Sequence, residues 1–451
     1  MAHITLAQAA AWCNGRVEEQ YKNIAFCGAG NDSRTIRPGQ LFVALVGARD
    51  GNDFAPMAFQ NGAAALLTAR EDMPYPAIVV EDPRIALGQI AAALRQKIGM
   101  KVVGVTGSVG KSTTKEMIAT VLEGDFIVSK TPANFNNDLG LPMAILAMEE
   151  DTQVAVLEMG MSHFGEISYL SHIAKPDIGV ITNIGTMHME NLGSQEGILQ
   201  AKLEICDGMA ETAPLCLYGE DAYLWGKREQ LTRPVTYFGS NNHLCAVRAE
   251  QICQEDGTLS FNVQAGEDAF PVMLPLEGAH FVADALAAIS VGLTLKVPPR
   301  RIADRLRRFQ NMAGRQEIFE VKKLTIIKDC YNAGPESMAA ALKVLGTRSG
   351  RRIAVLGDML ELGSITCRAH EEVGRLVAQS ADLLLTFGPN GQFVCRGAMD
   401  AGMAQETVFA FDDRTCMASK LQEICKPGDV LLVKGSHGMH MELVLEQFLE
   451  H

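Results

Sequence analysis

The segment Gly104-Val105-Thr106-Gly107-Ser108-Val109-Gly110-Lys111-Ser112-Thr113-Thr114 is the part of this chain whose residue types and spacing can do chemistry. Val102, Val103 and Val105 lead into it as a strand does, and residues 115–122 lead out of it in helix-like fashion. A Gly-rich turn between strand and helix lets backbone N–H groups close on phosphate oxygens, and the helix N-terminus favours the anion. Lys111 would bring a positive charge to the β- and γ-phosphates, and the Ser112 hydroxyl is placed to ligate Mg²⁺. Gly107, Ser108, Val109, Gly110, Lys111, Ser112 and Thr113 are therefore expected to bind a nucleoside triphosphate. The commonest pattern has four residues between its glycines, whereas five separate Gly104 from Gly110 here. A ligand-free Gly-rich turn is the bland alternative. Gly-Lys-Ser between a strand and a helix argues against it.

Three further groups are placed where chemistry could use them. Glu158 follows the apolar run 154–157, and ligands of open α/β sheets bind beyond the carboxyl ends of strands. A carboxylate there can hold a metal, or simply cap the next helix. His188 lies past the strand-like segment 178–182, although a lone His is usually structural or solvated. Lys202 sits on a helical stretch, where a lone Lys is normally a solvated surface charge. Spacing alone does not raise these three above their ordinary readings.

The elements that must position them fall into three blocks. Residues 1–82 hold short strand candidates at 41–46, 64–67 and 78–80, and a helix candidate at 85–97 follows Asp82-Pro83. Residues 83–313 alternate strands and helices, and the continuous apolar runs 154–157 and 178–182 read as parallel strands covered on both faces. Residues 232–272 are more polar and alternate, as in Leu259-Ser260-Phe261-Asn262-Val263, and read as antiparallel strands appended to that sheet. Residues 314–451 carry strand-like runs at 324–327, 353–356, 383–386, 408–411 and 430–433 with helices between most of them. That is the pattern of a dinucleotide-fold-like α/β domain.

Composition narrows the function classes. At 451 residues the chain needs several cores, and 47% hydrophobic with 21% charged residues is ordinary for a soluble globular protein. A net charge of −13 argues against a general binder of nucleic acid or of membrane surfaces. Eleven cysteines include no Cys-x-x-Cys pair, so free thiols in a reducing cytoplasm are the expectation. The sequence opening Met-Ala-His-Ile-Thr-Leu lacks a basic region and apolar core, and no apolar run reaches the ~20 residues that span a bilayer.

Longer motifs link these groups. Asn134-Phe135-Asn136-Asn137-Asp138-Leu139-Gly140-Leu141-Pro142, Leu157-Glu158-Met159-Gly160, Thr182-Asn183-Ile184-Gly185 with His188, and Ala201-Lys202-Leu203-Glu204-Ile205 join the Gly-rich segment in a set that resembles the Mur ligase family, which builds the peptide of bacterial peptidoglycan. The resemblance implies an α/β fold of three domains: a UDP-binding N-terminal domain, a central P-loop parallel-sheet ATPase and a C-terminal ligase domain. At the N-terminus, Asp32-Ser33-Arg34 and the run from Arg37 to Leu45 are similar to the family's UDP-sugar-binding domain. In the C-terminal block, the stretch from Asp329 to Met338, the stretch from Leu356 to Gly363, and Val433-Lys434-Gly435-Ser436 with Met441-Glu442 resemble those members that join D-alanyl-D-alanine to UDP-N-acetylmuramoyl tripeptide. The Asp-Asn-Pro-Arg signature of diaminopimelate-adding members is absent.

By resemblance, a substrate carboxylate attacks the γ-phosphate of ATP, and the dipeptide amine then attacks the acyl phosphate. Lys111, Glu158, His188 and Lys202 are the implied catalytic set. Ser112 and Glu158 would hold one Mg²⁺, and Glu158, His188 and a carbamylated Lys202 the second; carbamylation turns a cation into a carboxylate-like ligand for a hard metal. Asn137, His280, Asp284, Arg315, Asp329, Tyr331 and Asn332 are implied around the nucleotide. Ser33 and Arg34 are implied near the uridine or its phosphates, with a local turn at Asn31-Asp32-Ser33 as the competitor. Asp358 and Ser436 are implied at the dipeptide. Several positions depart from the family's pattern: Phe281 and Asp284 stand for two asparagines, Lys328 for an acidic residue, Gly334 for an Asn, His437 for an Arg and Asn52 for a His. A chain that binds nucleotide and substrate without turnover, or a ligase with another amino-acid donor, are the rival readings.

Overall fold

The computed structural model describes residues 2–255 and 257–450. Met1 and His451, the outer limits of the first and third expected blocks, and Asp256, within the expected antiparallel stretch, lie outside them. Three main sheets follow one another along the chain, accompanied by a two-stranded pair.

The first main sheet has four short parallel strands in sequence order, Ala29–Gly30, Leu41–Val43, Ala65–Thr68 and Ala77–Val79. The helix Pro83–Ile98 leads out of it. Asp82 caps that helix by accepting from Arg84 N and Ile85 N, and Gly99 at φ +73° ends it. Apolar residues of this first sheet share one core with the helix and with one face of the next sheet.

The second sheet has nine strands, and Lys101–Thr106, third from one edge, lies between Ile178–Ile181 and Val154–Glu158. Register matters for function here. Val105 pairs with Glu158, and Thr106 pairs with Ile181. The three strands therefore finish level, and their following loops emerge on one edge. Successive residues alternate between two cores: Val102, Ala155, Leu157 and Ile181 face one, and Val103, Val105, Val154, Val156 and Val180 face the other. The helices Lys111–Leu122 and Phe281–Thr294 pack in the second core. Burial on both faces is why these strands read as unbroken apolar runs.

The stretch expected to be antiparallel is only partly so. Val235–Gly239 pairs parallel with Leu215–Tyr218, and Val247–Glu255 continues the parallel order; only Thr258–Ala265 and Asp268–Leu274 turn back as hairpins. Polarity identified an edge of the sheet but not its direction. The third sheet has six strands, ordered Glu317–Val321, Leu324–Asp329, Val430–Lys434, Arg352–Gly357, Leu383–Phe387 and Val408–Phe411. All are parallel except Glu317–Val321, an edge strand paired antiparallel with its neighbour.

Candidate active site

Between Lys101–Thr106 and Lys111–Leu122 the chain turns through Gly107 at φ +148° and Gly110 at φ +84°. A Cβ on Gly107 would sit 1.9 Å from Thr182 Oγ1, and one on Gly110 would sit 2.5 Å from Asp284 Oδ1. Backbone angle and space both demand glycine at these two positions. The turn is clamped from the neighbouring strand end. Val109 N donates to Asn183 Oδ1 (3.0 Å), Thr182 Oγ1 donates to Val109 O (2.6 Å), and Asn183 Nδ2 donates to the same carbonyl (3.0 Å). Ser108 accepts at Oγ from Gly185 N. Lys111 folds back onto this turn, donating to Gly107 O (2.8 Å) and Ser108 O (3.2 Å). Burial holds its amine below the ordinary lysine range, and Glu158 opposes that shift.

Ser112 Oγ donates to Glu158 Oε2 at 2.6 Å. Glu158 is nearly fully buried, accepts at Oε1 from Asn136 Nδ2 (2.9 Å), and has Lys115 Nζ 3.8 Å from Oε2. Its backbone N–H donates to Thr131 Oγ1, while Lys115 donates to Thr131 O. A carboxylate out of water needs such partners. Asn136, Lys115 and Thr131, together with the clamp residues Thr182 and Asn183, were given no role by sequence reasoning. The motifs containing the asparagines and Thr182 were visible, but their partners are distant in sequence.

From the third sheet's side, Arg315 Nη2 donates to Ser112 Oγ at 2.8 Å, and its guanidinium lies 3.9 Å from the Tyr331 ring centroid. Asp329 accepts from Lys434 Nζ (2.5 Å) and from Gln316 N (3.2 Å). Asn332 accepts at Oδ1 from Ala333 N. Glu336 Oε1 accepts from both Thr186 N and Thr186 Oγ1 (2.8 and 3.0 Å), another contact unassigned from sequence. These groups and the phosphate turn line one cleft of about 630 Å³, shared with Thr113, Asn137, His188, His280, Asp284 and His437.

His188 sits at φ +64°, with Nδ1 2.7 Å from Glu361 Oε2. Lys202, on the helix Gln195–Leu203, is buried rather than solvated. Burial, then the nearby Lys111 charge, holds its amine well below the ordinary range. Asn137 accepts from Gly140 N and Leu139 N, so its carbonyl oxygen serves the start of the helix Gly140–Leu146 while the residue borders the cleft.

Several expected residues have local duties. Asp284 accepts from Thr114 Oγ1 (2.8 Å) and packs on Gly110; burial pushes its carboxyl up to about 7. Phe281 is buried in the core, tilted against the His280 ring. His280 opens onto the cleft, but the protein around it pushes its imidazole down to about 4. Asp358 accepts from Asn390 N and Nδ2, and Ser436 Oγ donates to Ala333 O while accepting from Leu360 N. Both are buried outside the cleft lining. Ser33 and Arg34 lie apart from it too: Ser33 is buried near Met57, and Arg34 pairs in bidentate fashion with Asp32, holding that carboxyl down to about 2.

Three of the departures have local settings in the structure. Gly334 lies where a Cβ would be 2.9 Å from Met187 Cγ. Asn52 accepts from Thr68 and donates to Asp50, a closed local network. Lys328 pairs across the edge hairpin with Glu317 in register.

Comparison with known proteins agrees with this geometry. The Mur ligase middle domain family matches residues 105–292, and the family described as Mur ligase, glutamate ligase domain, matches residues 314–437. The UDP-N-acetylmuramoyl-tripeptide–D-alanyl-D-alanine ligase of Bacillus subtilis (strain 168) is 38% identical over 441 residues, 96% of this chain and 95% of that one. The enzyme of the same name from Escherichia coli (strain K12) is 33% identical over 461 residues, 100% and 99% of the two chains. A crystal structure of MurF from Acinetobacter baumannii superposes with a TM-score of 0.91 at 30% identity, covering 100% of both chains. MurF from Thermotoga maritima in complex with ADP superposes with a TM-score of 0.82 at 30% identity, covering 94% of this chain and 97% of that one. Full-length identity of this order, on the same three-sheet frame, shows that the chain belongs to the Mur ligase family and, within it, to the UDP-N-acetylmuramoyl-tripeptide–D-alanyl-D-alanine ligases.

Proposed function

We propose that this chain catalyses ATP-dependent amide formation between UDP-N-acetylmuramoyl tripeptide and D-alanyl-D-alanine, giving the pentapeptide precursor of peptidoglycan. The observation that carries this reading, beside the full-length relatives, is the level finish of three neighbouring strands of the second sheet. It brings the Gly107–Ser112 turn, Glu158 and the loop to His188 to one edge, under Arg315 and Tyr331 of the third sheet.

The chemical obstacle is charge, because a carboxylate must approach a polyanion. The N–H groups of the turn and Lys111 receive the phosphates, and Arg315 approaches them from the opposite wall. The substrate carboxylate attacks the γ-phosphorus, ADP leaves, and an acyl phosphate forms. The dipeptide amine then attacks the acyl carbon, gives up a proton, and inorganic phosphate leaves. Asp329, Tyr331 and Asn332 close around the ribose and phosphates. His280 and Asp284 line the wall toward the base, with Asp284 acting through Thr114 and Gly110.

The donors fit a hard divalent cation. Ser112 Oγ and Glu158 Oε2 already converge at 2.6 Å, with Lys115 beside that carboxylate and Arg315 donating to the Ser112 hydroxyl. Ser112 and Glu158 would hold one Mg²⁺; Glu158, His188 and carbamylated Lys202 would hold the second. Bound Mg²⁺ supplies charge neutralisation and orients the phosphoryl group. Lys202 suits carbamylation: among the described residues no hydrogen bond or ion pair engages its amine, and its lowered basicity leaves a free lone pair. The amine attacks the carbon of CO₂, a C–N bond forms, and the departing proton leaves a carbamate.

The units would divide the work. Residues 1–82, through Ser33 and Arg34, take the UDP end; 83–313 take ATP; 314–451, through Asp358 and Ser436, take the dipeptide. No helix among the described residues is long and apolar enough to cross a membrane. The reading places the protein in the cytoplasm, where its cysteines stay reduced.

The test is phosphate release with Mg-ATP and UDP-N-acetylmuramoyl tripeptide, with and without D-alanyl-D-alanine, in bicarbonate. Dipeptide-dependent release with a pentapeptide product by mass is expected. ATP binding without release on any D-amino acid or dipeptide would overturn it.

A further inference from the structure

His188 belongs to the second sheet's loops, yet the group nearest its Nδ1 belongs to the third sheet's. The loop after Arg352–Gly357 brings Glu361 to it, Oε2 lying 2.7 Å from Nδ1. Nδ1 is buried, and the Glu361 carboxylate stands at ion-pair distance from it, in an orientation that falls short of a formed hydrogen bond. Both residues adopt left-handed backbone angles, His188 at φ +64° and Glu361 at φ +62°. Side chains rarely accept that conformation, and where the surroundings impose it the strain marks a constrained site. The surroundings do impose it. The helix Met189–Leu192 packs on the turn Gly363–Ile365, and a Cβ on Gly363 would lie 2.9 Å from Glu190. Two residues before His188, Glu336 fixes Thr186 through its backbone N–H and its hydroxyl. Two carboxylates of the third unit thus hold the loop 182–188 of the second.

An ionised carboxylate only accepts, whereas a neutral imidazole has one N–H and one lone pair. Beside the Glu361 carboxylate, the favoured tautomer is therefore the one with the proton on Nδ1 and the lone pair on Nε2. Metal-binding imidazoles are ordinarily oriented by such a partner on the other nitrogen.

We propose that Glu361 is a positioning residue. It holds His188 as the Nδ1–H tautomer with Nε2 free for a divalent cation, so the ligand is ready only while the third unit is docked on the second. This rests on the metal reading given under Proposed function. Glu336 serves the same docking by fixing the loop backbone.

The test uses two variants of the full chain. Glu361→Gly removes the carboxylate at a left-handed position that glycine adopts without strain, and Glu361→Gln keeps an acceptor. Ring-nitrogen shifts of ¹⁵N-histidine-labelled, metal-free protein report the tautomer, with the His188 signals assigned by their loss in His188→Gln. The wild type and Glu361→Gln are expected to show Nδ1–H. Glu361→Gly is expected to revert toward Nε2–H, the form that prevails in free imidazole side chains. Mn²⁺ affinity, measured by electron paramagnetic resonance with a non-hydrolysable ATP analogue, should weaken about 10- to 100-fold in Glu361→Gly and stay near wild type in Glu361→Gln. An Nε2–H tautomer in the wild type, or Mn²⁺ binding within about twofold of wild type in Glu361→Gly, overturns the proposal. Wild-type protein that shows Nδ1–H but holds no Mn²⁺ overturns the metal reading and, with it, the link from Glu361 to ligation.

Discussion

A lysine amine in a protein interior is costly as a cation, and Lys202 has Lys111 nearby as well. Both effects favour the neutral amine, the form that adds CO₂. Turnover is therefore expected to fall in CO₂-depleted buffer and return with bicarbonate, while Lys202→Ala should lose activity irrespective of bicarbonate; phosphate release measures both. Asp284 shows the opposite titration. Its folded-state carboxyl is pushed up to about 7 from an ordinary 3.8, so the folded protein keeps a proton that the unfolded chain gives up. The associated stability is fully present below the ordinary carboxylate range and is lost as pH rises through about 7. Asp284→Asn keeps an acceptor for Thr114 and has nothing to titrate. It should melt higher than wild type at pH 8, by a few kcal/mol at most, with the gap closing toward pH 5 in thermal denaturation. A pH-independent gap would show that the carboxyl is not the cause. Neither environment was legible in the neighbouring residues: spacing left Lys202 at the ordinary reading of a surface charge and only the resemblance made it a metal ligand, while Asp284 read as a base contact. Burial is a property of what folds over a residue, and the neighbouring letters do not carry it.

The phosphate turn could be read from its own residues because its geometry is local: glycines at the two positive-φ positions, Lys and Ser at the helix start. Its clamp could not, because Asn183 reaches Val109 across 74 positions of sequence. The same distinction separates the strands that were found from their order. Runs such as Val154–Glu158 announce themselves by double-sided burial, whereas the place of Lys101–Thr106 between Val154–Glu158 and Ile178–Ile181 depends on pairing between distant segments. Glu317–Val321 was missed because it is a half-exposed edge strand in which Glu317 and Glu320 interrupt both an apolar run and a strict alternation. The clamp's geometry sets how it serves function. Asn183→Ala leaves Val109 N without its acceptor while Thr182 still holds Val109 O. The turn should loosen more than it unfolds: a stability loss of about 1 kcal/mol by chemical denaturation, and a KM for ATP raised about tenfold with kcat less affected. An unchanged KM would mean that Thr182 alone sets the turn.

The second and third sheets meet through polar groups at the cleft: Arg315 on Ser112, Glu336 on Thr186, Glu361 on His188, and Arg348 on Glu277. Ion pairs of this kind contribute little each when partly hydrated, and salt screens them. Interfaces between domains of one chain resemble transient complexes, so relative motion is the ordinary expectation for so polar a junction. Substrates change that balance by bridging the walls, since the phosphates would touch both the Gly107–Ser112 turn and Arg315. Without ligands, the radius of gyration from small-angle scattering should rise as salt increases from ~50 mM to ~500 mM, because the screening length then falls well below the spacing of these charges. With a non-hydrolysable ATP analogue and UDP-N-acetylmuramoyl tripeptide, it should shrink and lose its salt dependence. Ligand-free curves that superpose at both salt concentrations, and that the substrates leave unchanged, would mean that the units are already locked. In that case Glu336 and Glu361 would be permanent braces of the His188 loop, and docking of the third unit could not time the assembly of the site.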